Sequence, residues 1–261
     1  MVMLFFSFLD VRIEKSIIRK SHFVILATII LAAVAIYYLL KPFNIVLAQT
    51  AFITAIAPTA IAAPVIISLK KGKVEFVAFS LLINNVVITL LIPFLLPALM
   101  SGGVDISVGK ILLPVLITLF VPLISSQAIK YFLPKVWNTL IGWKDVSFYI
   151  LIGAVYIAIS DASQYFRSGP TGNAEIVFYI ALSSAVLCVG FFTLGWFIGG
   201  KEFAAEASQS LGQKNNAFTI WISLSFVGPL TVLGPVFYVL YQNIYISWEL
   251  YRHSNKSVGT E

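Results

Sequence analysis

Apolar residues fall in long runs separated by short polar or charged stretches. A membrane-crossing helix needs roughly 20 mostly apolar residues. Eight windows meet that requirement: 22–41, 45–69, 74–100, 108–132, 147–165, 175–199, 203–227 and 229–250. The pattern predicts an all-α polytopic membrane protein with about eight transmembrane segments. The opening MVMLFFSFLD is apolar but too short to span, and no small-residue cleavage site follows it, so it does not read as a signal peptide.

Two windows read as interrupted. In AQTAFITAIAPTAIAAPVIISLKKG, Pro58 and Pro64 each remove a backbone donor and disturb the helix behind them, while Thr50, Thr54 and Thr59 supply replacement hydrogen bonds. In FAAEASQSLGQKNNAFTIWISLSF, the stretch from Ser208 to Asn216 holds one aliphatic side chain, Leu211, at a depth where lipid demands apolar groups. Backbone opened there must face protein or water. The first interrupted window runs outside to inside and precedes 74–100; the second runs inside to outside and precedes 229–250. The halves therefore read as inverted repeats, 1–100 and 108–250, of one transmembrane domain covering 1–261, with two discontinuous crossing helices. Paired interrupted helices of this kind build secondary transporters, in which half-helix ends meet near the midplane and hold substrate or coupling ion. A competing reading lays 203–214 flat on the surface and starts the crossing near Ala217.

Composition agrees with the pattern: 59% hydrophobic residues, 11% charged residues and a mean hydropathy of +0.96 exceed what a soluble chain exposes. The net charge of +6 is unevenly placed. One set of alternate loops and ends carries Arg12, Lys15, Arg19, Lys20, Lys70, Lys71, Lys73, Lys130, Lys135, Lys144, Lys201, Arg252 and Lys256; the other carries Lys41, Lys110 and Arg167. Positive residues stay cytoplasmic, so both termini are expected in the cytoplasm. The competing flat reading leaves Arg252 and Lys256 outside, against that rule. The expected location is the inner membrane of a bacterium, with the lipid bilayer as a partner. No basic cluster interleaved with aromatics suggests nucleic acid. Cys188, the sole cysteine, excludes an intrachain disulfide, and two edge histidines, His22 and His253, make no metal site. No Ser/His, Cys/His or metal constellation at span depth suggests an enzyme, and no cofactor is expected.

Pro58 is followed by Lys71-Gly72; Ser210-Leu211-Gly212-Gln213-Lys214-Asn215 forms a second motif and Tyr241-Gln242-Asn243 a third. In these stretches the chain resembles the bile acid:sodium symporter (BASS) family. Its first broken helix carries P-G-G-x-x-S-N followed by a basic residue and glycine, its second carries E-x-G-x-Q-N, and its last span holds a W-H-N type triplet. FLDVRIEKSIIRKSHF is similar to the family's turn between its second and third helices. The resemblance implies two five-helix inverted repeats, of which this chain begins at the end of the second helix. Either the start lies late or the panel outside the crossing is reduced to 108–132 and 147–165.

The resemblance also implies sodium sites, and here the chain departs from it. Sodium needs about five or six hard oxygen ligands. The family's Ser-Asn pair falls on Ala63 and Pro64, two hydroxyl residues of the following helix on Val77 and Leu81, the shared glutamate on Ser210, and the second site's glutamine on Lys214. Ser80 can rescue one ligand if the register shifts by one, but not all. An ammonium thus stands where a sodium ion is held.

A charged lysine at mid-bilayer costs roughly 2.5–3.5 kcal/mol on insertion scales. The acidic residues nearest the spans, Asp161, Glu175, Glu202, Glu206 and Glu249, lie toward span ends, while Asp105 and Asp145 lie in loops. Lys214 therefore either sheds its proton in the empty protein or is neutralised by a bound anion. Snorkelling is the weaker reading, because the stem cannot reach an edge. Lys214 and, with it, Ser210, Gln213, Asn215, Asn216, Thr59, Asn84, Asn85 and Asn243 are the candidate substrate-binding residues. Adjacent helical residues face apart, so at most one of Asn84 and Asn85 is expected to line the crossing. Ser183 and Ser184 read as helix-to-helix hydrogen bonders. Gly195, Gly199 and Gly200 read as close packing.

These residues lead to an expected sodium-independent transporter of a small organic anion, working by alternating access, with protons as a candidate coupling partner. The alternative is a membrane-embedded ligand-binding or sensor protein of the same fold that does not transport.

Overall fold

The first helix, α1, spans Lys20–Leu40 and buries one stripe, Ile25, Ile29, Ala33 and Tyr37. The four-residue spacing gives one inward face; Leu26, Ile30, Val34 and Ile36 flank it, partly buried against the same core, while Phe23, Val24, Leu31, Tyr38 and Leu39 are exposed. Among the described residues the computed structural model is all-helical apart from one isolated β-bridge; it describes residues 18–99, 108–143 and 174–258, with isolated positions within 5–9 and 149–160. The predicted span 147–165 and Asp105, Asp145, Asp161 and Arg167 lie outside the well-described stretches. Four helices among the described residues are long and apolar enough to cross a membrane: α1, α4 (Val74–Leu99), α5 (Val108–Phe132) and α7 (Ala174–Gly212). This supports an integral membrane protein.

The window 45–69 resolves into α2 (Ile45–Ile56) and α3 (Ala63–Leu69). The Asn44 side chain caps α2 by accepting from Leu47 N at 3.0 Å. Pro58 ends it: the preceding Ala57 takes ψ 130°, the extended geometry that the proline ring favours. Pro64 then sits in the first turn of α3, where its missing N–H costs nothing. The helix α4 follows, then α5 and the short α6 (Pro134–Ile141).

The helix α7 is two helices in a hairpin. Gly200 adopts φ 60°, ψ −149°, a conformation open to glycine and strained for other residues. The chain reverses there, so that 174–199 and 204–212 pack antiparallel. A Cβ on Gly195 would lie 2.6 Å from the Ala207 carbonyl oxygen, and one on Gly199 would lie 2.7 Å from Ala204 Cα. Small residues allow this approach, as in membrane helix pairs generally. The predicted windows 175–199 and 203–227 are thus separate segments joined by a tight turn. After 213–215 come α8 (Asn216–Ile222), a π turn (Ser223–Val227), a 3₁₀ turn (Pro229–Val232) and α9 (Leu233–Val258).

The hairpin tip and the 70–73 turn share one end of the protein. Lys73 Nζ pairs with Glu202 at 2.9 Å, Lys73 N donates to Glu206 Oε1 at 2.9 Å, and Phe76 stacks on Phe203 at 4.7 Å. Lys70 pairs with Glu249 of α9 at 2.5 Å, and Gln209 Nε2 donates to the other Glu249 oxygen at 2.6 Å. The acidic residues Glu202, Glu206 and Glu249 therefore serve this end. Ser184 Oγ donates to the Gly234 carbonyl at 3.1 Å, joining α7 to α9, whereas Ser183 Oγ donates within its own helix to Ile180 O. His22, expected at an edge, is fully buried: it lies 4.0 Å from the Phe76 ring and 2.8 Å from Ser80 Oγ, an aromatic wedge between α1 and α4.

Candidate functional site

The two interruptions meet. Thr59 and Lys214 form an antiparallel β-bridge, with Ala60 N donating to Gln213 O at 2.7 Å and Asn215 N donating to Pro58 O at 2.8 Å. Away from water, every freed backbone group must find a partner. Most partners here come from the other break or from α9. Tyr238 Oη donates to the Gly212 carbonyl at 2.7 Å, and Gln242 Oε1 accepts from Lys214 N at 3.0 Å. Tyr238 and Gln242 are four residues apart, on one helical face.

The second interruption is shorter than the polar stretch suggested. The arm stays helical through Gly212, and only Gln213–Asn215 are open. Ser208, Gln209 and Ser210 need no unwinding, because their side chains are buried in protein rather than lipid; Ser208 Oγ donates to Phe192 O at 2.8 Å across the hairpin.

Thr59 is the hub beneath the bridge. Its hydroxyl donates to Ser210 O at 2.5 Å and accepts from Asn84 Nδ2 at 2.7 Å, while its carbonyl accepts from Asn85 Nδ2 at 3.0 Å. Asn215 Nδ2 reaches Asn85 Oδ1 at 3.4 Å. The expectation that at most one of Asn84 and Asn85 faces the breaks is therefore corrected. Both do, because extended Thr59 offers its hydroxyl and carbonyl in different directions, matching two helical neighbours.

Lys214 is 1% exposed. Its Nζ donates to the Ala55 carbonyl at 3.1 Å, in the last turn of α2, and lies 4.0 Å from the centre of the Phe191 ring. Among the described residues no ion pair includes it. The partial negative charge of a helix C-terminus and the electron-rich face of an aromatic ring both attract a cation. Neither Ala55 nor Phe191 was marked by the sequence: one contributes a backbone atom, the other is an ordinary apolar residue.

A cavity of about 270 Å³ opens beside the bridge. Of the candidate residues, Gln213, Lys214, Asn215, Asn216 and Asn243 line it, together with Gln242 and the apolar Ala60, Ile61, Ile66, Val239 and Ile246. Thr59, Ser210, Asn84 and Asn85 do not; they form the hydrogen-bonded network beneath. Gln242 was legible only as the middle of a matching triplet. Its side chain both holds the break and lines the cavity.

An all-helical, largely apolar chain whose paired helix breaks gather buried amides and a lysine beside a cavity has the build of a membrane transporter. The chain belongs to the SBF-like CPA transporter family, whose sequence profile matches residues 7–244 and which is related to the bile acid:sodium symporters. No match was found among curated proteins.

Proposed function

We propose that the protein is a secondary transporter that moves an organic anion by alternating access around the two paired breaks, without sodium. The Lys214 ammonium takes the place of the ion. Membership of a transporter family supports transport. The observation that carries the rest is the contact of Lys214 Nζ with the Ala55 carbonyl at 3.1 Å, beside the Phe191 ring. Half-helix C-terminal ends and unwound carbonyls are where transporters of this build hold a coupling cation. The positions aligned with sodium ligands carry Ala63, Pro64, Val77 and Leu81, which have no side-chain oxygen.

The architecture that accompanies this reading is two inverted repeats, 1–100 and 108–250, eight crossings, two crossed discontinuous helices and cytoplasmic termini in a bacterial inner membrane. Protons are the candidate coupling ion. Substrate binding is assigned to the cavity, with Gln213, Asn215, Asn216 and Asn243 in contact and Thr59, Ser210, Asn84 and Asn85 positioning the breaks. Uptake of labelled carboxylates into proteoliposomes, with choline replacing sodium, tests the proposal. Unchanged uptake is expected, and its collapse overturns sodium independence. Binding without counterflow would favour a sensor of the same fold.

A further inference from the structure

We infer that the groove between α7 and α9 holds one anionic phospholipid, with an acyl chain lying along the groove and the phosphate on Arg252. This face of the protein has no part in the transport reading above.

The groove follows from side-chain size. On α7, Ala185, Cys188 and Val189 recur at three- and four-residue spacing and make one shallow face. On α9, Tyr241, Tyr245 and Trp248 recur in the same way and make the opposite wall. The two helices touch where Ser184 Oγ meets the Gly234 carbonyl at 3.1 Å and where Phe192 stacks on Tyr245 at 4.0 Å. Beside these contacts a space of about 510 Å³ remains. Val189, Ile244 and Trp248 are exposed along it, and no charged residue lines it.

Arg252 stands at one end. It lies four residues past Trp248 on the same face of α9, and its guanidinium is 4.8 Å from the centre of the Trp248 ring. The last residue of the wall is therefore also the platform for the charge. Stacking occupies the guanidinium face and leaves the N–H edge, the fork that grips a phosphate through two bonds. Among the described residues no ion pair includes Arg252, and Glu249, one turn before it, is engaged by Lys70 and Gln209.

Depth agrees with a lipid. Gln242 clasps the break that the transport reading puts at mid-membrane, and Arg252 follows ten residues later. A helix rises about 1.5 Å per residue, so the separation is about 15 Å, half of a hydrocarbon core roughly 30 Å thick. Arg252 thus comes to headgroup level where the apolar groove ends. Only this depth rests on the transport reading.

The groove by itself gives no selectivity, because lipid tails are as apolar as its walls. The charge must supply it. One basic residue at an anionic membrane surface is worth about 1 kcal/mol, which is roughly fivefold in affinity. A headgroup with net negative charge is therefore preferred to a zwitterionic one on the same chains.

Native mass spectrometry of the purified full chain, with dioleoyl phosphatidylglycerol against dioleoyl phosphatidylcholine, tests the inference. One phosphatidylglycerol per chain is expected to be retained, about fivefold over phosphatidylcholine. Arg252→Gln should bring that ratio toward one, whereas Lys201→Gln, an exposed cation outside the groove, should leave it unchanged. Val189→Trp, at an exposed position, should fill the groove and at least halve retention of phosphatidylglycerol without lowering the melting temperature. Equal retention of the two lipids overturns the inference. So do equal losses from Arg252→Gln and Lys201→Gln, which would mean diffuse surface charge, or retention that Val189→Trp does not alter. A dimer that Val189→Trp breaks, with no lipid retained, would assign the face to a second copy and overturn it too. Lipid retention is read without transport, so failed uptake with selective retention leaves this inference standing, and normal uptake with no retention removes it alone.

Discussion

Thr59 and Lys214 pair backbone to backbone at the one place where two helical segments are both interrupted. The Thr59 hydroxyl is central to this pairing, since it donates to Ser210 O and accepts from Asn84. Thr59→Val keeps the shape and removes both bonds, leaving Ser210 O and Asn84 without a partner. A loss of about 1–3 kcal/mol is expected, read as a lower melting temperature in detergent. No change would mean that the network does not hold the breaks together.

Lys214→Met should separate stability from activity. The thioether retains the packing on Phe191 and removes a buried charge; on insertion scales a lysine at the centre of a membrane helix costs roughly 2.5–3.5 kcal/mol. The variant is expected to melt at the same temperature or higher, and to lose at least ninety per cent of uptake, roughly the tenfold effect of about 1.4 kcal/mol in a coupled step. A variant that melts lower and transports normally would remove Lys214 from the mechanism.

The glycines of the hairpin make a graded prediction. Gly195→Ala sets a methyl 2.6 Å from both Ala207 O and Ser208 Cα, backbone atoms that cannot step aside alone. Forcing the two arms apart should cost about 1–3 kcal/mol. Gly190→Ala meets nothing within 4 Å and should be neutral or stabilising by up to about 1 kcal/mol of helix propensity. Thermal melts of the two variants side by side check the pair.

Lys70 and Glu249 join the turn after α3 to α9 with side chains only 10% and 13% exposed. A double-mutant cycle with Lys70→Met and Glu249→Gln should return a coupling of about 0.5–3 kcal/mol. Strict additivity would make the pair a surface ornament.

Topology can be read by accessibility. In a Cys188→Ala background, Lys201→Cys at the hairpin tip and Lys41→Cys between α1 and α2 should react with a membrane-impermeant maleimide from opposite sides, with Lys201→Cys reached only from the cytoplasm. Reaction of both from the same side would overturn the alternation of loops.

Much of this arrangement was legible in the sequence, because a bilayer makes polar residues conspicuous. Lys214, Asn215 and Thr59 stood out against aliphatic neighbours, and Pro58 announced the end of α2. The width of the second break was not legible. Whether Ser208–Ser210 unwind or stay helical depends on a neighbouring arm, and that arm is brought close by Gly200 and Gly195. The caps from Tyr238 and Gln242 were equally hidden: a tyrosine and a glutamine in a span reveal their partners only after the helix has been docked. Asn84 and Asn85 misled for a related reason. Helical periodicity says which way a side chain leaves its own helix, not how many directions an extended neighbour can answer.

The two caps on α9 have a mechanical consequence. Tyr238 and Gln242 grip the residues on either side of Gln213, one through a carbonyl and the other through an amide. Sliding α9 along its axis by a single turn would strip both bonds at once. On the alternating-access reading proposed above, that helix and the break it clasps travel as one piece, and the opening of the cavity slips along some other seam.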